Sequence, residues 1–91
     1  MKKELHIRVQ TPRGLWSMTE PKDAPLRPEY EPHTKVEHVI RDARKVFGFV
    51  ENDSKYTLFK GKHELHPERT LASYDVENGD LLVLSVQGGN A

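Results

Sequence analysis

Lys55-Tyr56-Thr57-Leu58-Phe59-Lys60-Gly61-Lys62-His63-Glu64-Leu65-His66-Pro67-Glu68-Arg69-Thr70-Leu71-Ala72-Ser73-Tyr74-Asp75-Val76 changes its texture three times. The aromatic and β-branched residues of 55–60 suit a pleated, half-buried surface and predict a strand. Gly61 marks a turn, and Leu65 sits in a short following strand. Leu71 and Tyr74 lie in a mixed stretch that fits an irregular or 3₁₀ segment. Asn78-Gly79-Asp80 is a second turn. Leu81-Leu82-Val83-Leu84-Ser85-Val86 is then a continuous apolar strand, and Gln87-Gly88-Gly89-Asn90-Ala91 is a tail too rich in glycine to belong to a core.

Upstream, Val36, Val39, Ile40, Ala43, Val46 and Phe47 recur at three- and four-residue steps, with charged residues between them, the period of an amphipathic helix. Thr34 and Glu37 have the spacing of a capping box at its start, and Gly48 ends it after Arg44 and Lys45. Before the helix, Pro21, Pro25, Pro28 and Pro32 exclude both a helix and a central strand from residues 20–33, which predicts an extended loop. Before the loop, Leu5, Ile7 and Val9 alternate with His6, Arg8 and Gln10, the period of a strand with one buried face. Pro12-Arg13-Gly14 turns this strand into a second one over Leu15 to Thr19.

The resulting order is ββ, one helix, then two or more strands. This predicts an α+β domain, residues 1–87, in which the helix packs across one face of a mixed sheet of four to five strands. The first and last strands, both free of Pro and Gly, are expected at the sheet's centre. Residues 88–91 form the tail.

Composition bounds the function. The chain has 91 residues, with 14 Lys plus Arg against 14 Asp plus Glu, so it is one small domain of zero formal charge. Binding driven by nucleic-acid phosphates needs a basic excess that is absent here. No apolar run approaches the roughly 18 residues of a membrane span, and the opening residues enter the first strand without an apolar leader, which sets a cytoplasmic expectation. The absence of cysteine excludes disulfides and thiol chemistry. Of the five histidines, His63 and His66 form the one close pair, with no third metal ligand at a usual spacing. Neither a nucleophile elbow nor a phosphate-binding loop frames the Ser, His and Asp residues, so no enzyme, metal or cofactor is expected.

The string from Thr57 to Val76, with Arg69-Thr70-Leu71 and Tyr74 at a fixed distance from both a Leu-Phe strand and a terminal Gly88-Gly89, resembles ubiquitin. Thr34-Lys35-Val36-Glu37-His38-Val39 is similar to the start of that family's helix. The likeness covers nearly the whole chain except the Pro-rich loop, and it implies a ubiquitin-like β-grasp fold in which the Tyr74 hydroxyl pins its own loop.

The resemblance also implies a function. A modifier offers a carboxylate that an activating enzyme adenylates and passes to a thiol, and two glycines let the chain thread a narrow channel to that chemistry. Here Asn90-Ala91 follow Gly89, so a peptidase would have to cut between Gly89 and Asn90. A conjugating enzyme would then join the Gly89 carboxylate to amines of target proteins. The extension favours a modifier over the sulfur carriers of the same fold, which usually end at the diglycine. A non-conjugated interaction module is the other alternative. Lys2, Lys3, Lys22, Lys35, Lys45, Lys55, Lys60 and Lys62 are the candidate sites of self-modification.

If Leu81 and Val83 point at the helix, then Leu82, Leu84 and Val86 point away. With Phe59 they would form a partner-docking surface on the face where ubiquitin carries its recognition patch. The alternative is that Leu26 and Tyr30 bring the Pro-rich loop over this stripe. The insertion and the departures from ubiquitin's surface point to a bacterial ubiquitin-like conjugation system, a class in which some members defend against phage.

Overall fold

The computed structural model describes residues 4–50 and 55–86. The first strand is divided: β1 spans Leu5–His6 and β2 Arg8–Thr11. The break falls at Ile7, whose N–H donates to the Pro28 carbonyl, while Arg8 donates to Asp80. Thr11 Oγ1 closes the next turn by donating to the Gly14 carbonyl at 2.8 Å, and β3 runs over Gly14–Trp16. It is shorter than the Leu15 to Thr19 expected. At Ser17 the chain bends, with the Ser17 N–H donating to the Glu20 carbonyl and the Ser17 hydroxyl oxygen accepting from the Thr19 and Glu20 N–H groups.

The Pro-rich loop contributes β4, Glu29–Tyr30, which pairs antiparallel with β1 in a separate two-stranded sheet. Prolines exclude a central strand, but a two-residue piece starting just after Pro28 needs few amide donors. The rest of the loop is tied to itself. Arg27 donates to the carbonyls of Ser17, Pro21 and Lys22, and the Trp16 indole N–H reaches the Leu26 carbonyl at 2.8 Å. Tyr30 is buried, meets Trp16 edge-on and donates to Asp42 of the helix. Tyr30 and Leu26 therefore pack against the core on the helix side, and Leu81 and Val83 stay exposed on the opposite face.

The helix α1 spans Val36–Phe47, and Val36, Val39, Ile40 and Ala43 are its buried positions. Its N-terminus departs from the expectation: Lys35 occupies the cap position and no side chain caps the helix. Backbone carbonyls take over that role. The N–H of Val36 donates to Arg69, that of Glu37 to Pro67 and that of His38 to Lys35, so two of these orphan amides of the first turn are satisfied by the 67–69 segment. At the other end Gly48 adopts φ 68° and Phe49 N–H returns to the Arg44 carbonyl, the expected glycine stop.

Beyond the helix, β5 spans Tyr56–Lys60, β6 His63–Leu65 and β7 Leu81–Val86, with a 3₁₀ turn at Ala72–Tyr74. The main sheet has the order β3-β2-β7-β5-β6; β2 and β7 are parallel neighbours and the other pairs are antiparallel. β7 is central and β2 lies beside it, as expected from their apolar character. This is an α+β ubiquitin-like β-grasp architecture of five strands and one helix with a second, smaller sheet. The Tyr74 hydroxyl accepts from the His66 N–H at 3.0 Å and pins the loop it terminates.

Candidate functional site

Strand register decides which side chains the open face of the sheet presents. Trp16, Val9 and Leu82 are partners in one row, and Leu84, Leu58 and Leu65 in another. All six are buried, Leu82 to 0% and Leu84 to 2% exposure. Val86 shares their face and packs partly buried against the core. Leu82, Leu84 and Val86 thus belong to the helix-facing side, opposite to the docking role expected for them. Phe59 alone of the four lies on the open face. β7 alternates as expected but in the opposite phase, and a one-residue slip moves every side chain to the other face. In this run of five apolar residues Ser85 carries the one signal of phase, since it shares its side with the exposed Leu81 and Val83.

The open face is instead organised by Leu81 and Val83, which are 42% and 39% exposed. One row crosses all five strands in the order Leu15, Gln10, Val83, Phe59 and Glu64, and Leu81 sits beside it opposite Arg8. Leu15 and Phe59 are half-buried. Thr57 and Ser85 pair at one end of this face. At the other, the Arg8 guanidinium donates to the Gly79 carbonyl at 3.1 and 3.2 Å. Val83, Phe59 and Leu81 form an apolar group on this face, with Gln10 between it and Leu15, and such a group can bury a complementary apolar surface. Leu15, Leu81 and Val83 were missing from the expected set; the partnering of Phe59 with Val83 is the signal that finds them.

Lys60 differs from the other described lysines. Its ammonium donates to the Tyr74 and Asp75 carbonyls at 3.2 and 2.8 Å and lies 3.6 Å from Asp80. It borders a shallow cleft of about 380 Å³ with His63, Ser73 and Tyr74. Lys22, Lys35, Lys45, Lys55 and Lys62 are exposed. Lys2 and Lys3 lie outside the described residues, as do Gly88, Gly89 and Asn90 of the tail.

A separate constellation lies at the β1–β4 pair. Glu4, His6 and Glu29 place their ligating atoms within 4.8 Å of one another. A hydrogen bond with Glu29, and then the charge of that residue, raise the Glu4 carboxyl above its ordinary range, whereas the same hydrogen bond is the main cause lowering Glu29. Both shifts arise from the closeness of the two carboxylates. Sequence spacing conceals this set because Glu29 is brought to His6 by strand pairing alone. His63 and His66 are both exposed and belong to no such group among the described residues.

No protein-family model matches the chain, and no curated protein matches its sequence. Similarity appears among solved structures. A protein designed on the basis of ubiquitin is similar with a TM-score of 0.73 and 18% identity, over 96% of this chain and 93% of the other. The ubiquitin-like domain of an Arabidopsis thaliana protein is similar with a TM-score of 0.73 and 14% identity, over 98% of this chain and 83% of that one. The likeness shows a ubiquitin-like fold. Among the described residues, no helix is long and apolar enough to cross a membrane.

Proposed function

We propose that the chain is a ubiquitin-like protein modifier, cut after Gly89 and joined through the Gly89 carboxylate to amines of target proteins. The observation that carries this reading is a diglycine following β7, the central strand of a ubiquitin-like sheet, with a single intervening residue, Gln87. An activating enzyme would form the adenylate and then a thioester, a conjugating enzyme would deliver the acyl group to a target amine, and a peptidase would expose and later release the glycine carboxylate. The open face of Leu15, Leu81, Val83 and Phe59 is the docking surface for these partners. Exposed Lys62 and its like are available as acceptors, whereas Lys60 is engaged by backbone carbonyls. The Pro-rich insertion favours a bacterial, cytoplasmic conjugation system, with antiphage defence as its setting.

The second reading, a non-conjugated interaction module, draws on the same apolar group, which needs no tail to bind a partner. A sulfur carrier bearing a thiocarboxylate at Gly89 is the third. The intact mass of the protein from its native host, with a denaturing gel beside it, separates them. Loss of Asn90-Ala91 together with higher-mass adducts that vanish in Gly89→Ala identifies a modifier. A full-length mass without adducts under resting and inducing conditions identifies the module, and a thiocarboxylate on the free tail identifies the carrier.

A further inference from the structure

The β1–β4 pair joins the N-terminal strand to the end of the Pro-rich loop, and its outward side carries an imidazole between two carboxylates. Glu4 and His6 are two residues apart and both exposed, while His6 and Glu29 are register partners across the pair. The core residues Leu5 and Tyr30 are partners beneath them, so burial of that pair fixes which way His6 and Glu29 face. The backbone of His6 is held on both sides, its N–H by the Asn78 side-chain oxygen at 2.8 Å and its carbonyl by the Gly79 N–H at 2.8 Å.

We propose that Glu4, His6 and Glu29 form a binding site for a transition-metal dication of the Zn²⁺ class. The imidazole is what separates this group from a patch of surface acids: one nitrogen and two carboxylate oxygens are a donor set that borderline metals accept. The geometry fits. His6 Nε2 lies 3.5 Å from Glu29 Oε2, long for a charge-assisted hydrogen bond. Two ligands on a tetrahedral ion with bonds of about 2.0–2.1 Å are about 3.3 Å apart. All three ligating atoms lie within 4.8 Å of one another on exposed side chains. A dication would also offset the repulsion between the two carboxylates that meet there. With water completing the coordination, the ion would cross-link β1 to β4 and fasten the Pro-rich loop to the first strand.

The test is titration of the untagged full chain with ZnCl₂ near pH 7.5, by calorimetry and by the imidazole resonances in NMR. One saturable site is expected, with shifts centred on residues 4–6 and 29, and at least tenfold weaker binding in His6→Ala and in Glu29→Gln. A His63→Ala/His66→Ala double variant should bind as the parent does. All of these positions are exposed, and circular dichroism checks that each variant is folded. Absence of a saturable site, binding unchanged in His6→Ala, or binding lost only in the His63/His66 variant would each overturn the assignment.

Discussion

Tyr30 shows how much one side chain of the inserted loop does for the domain. Its ring enters the core against Trp16, and its hydroxyl donates to Asp42 at 2.8 Å. Burial first, then the hydrogen bond and charge of Asp42, push the phenol far above its ordinary value. A folded-state pKa above the unfolded one stabilises fully below the unfolded value of about 10, and the contribution falls as pH rises beyond it. Stability should therefore decline above pH 10 by up to about 1.4 kcal/mol per pH unit from this group. Tyr30→Phe should lose about 1–2 kcal/mol at pH 7 through the missing hydrogen bond and have a flatter alkaline decline. Urea midpoints for both proteins between pH 9 and 11.5 measure the difference; parallel declines would count against Tyr30 as the source.

At the scale of elements, β7 and α1 each departed from the simplest reading of their residues. The burial of Leu82 and exposure of Leu81 predict unequal costs from chemically identical truncations. Leu82→Ala should destabilise by about 2–5 kcal/mol, because it opens a cavity in the core, whereas Leu81→Ala should cost under about 1 kcal/mol. Thermal or urea unfolding of the two variants decides the register of the strand, and equal losses would refute it. For α1, Thr34→Ala should cost less than the roughly 1 kcal/mol typical of a lost N-cap, since carbonyls of Arg69 and Pro67 already serve the first amides. The capping-box spacing is present in the sequence; the carbonyls that serve the first amides instead come from a segment 30 or more residues away, at 67–69.

For the whole molecule, the apolar residues on the open sheet face and the diglycine tail are separate parts of one proposed activity. Val83→Asp should leave the fold within about 1 kcal/mol of the parent, because it changes an exposed position, yet it should weaken partner engagement by tenfold or more. Gly89→Ala should abolish conjugation without altering stability. Paired measurement of unfolding and of adduct formation in cells distinguishes these effects. Conjugation that persists in Val83→Asp would remove the face from the mechanism while leaving the tail in it.

The local chemistry of the chain determined the kind and order of its elements. Alternation made the first strand, a 3.6-residue period ending at Gly48 made the helix, and the stretch from Thr57 to Val76 carried the likeness to ubiquitin. These properties were legible because each depends on residues close together in the chain. Tertiary structure alone decided the capping of α1 by carbonyls, the docking of Tyr30 on the helix side and the meeting of Glu29 with His6, and it fixed the phase of Leu81–Val86, for which Ser85 was the single local signal. Each arises between segments distant in sequence, where an apolar run or an exposed carboxylate has the same composition whichever way it faces, and only packing against a particular neighbour selects the orientation.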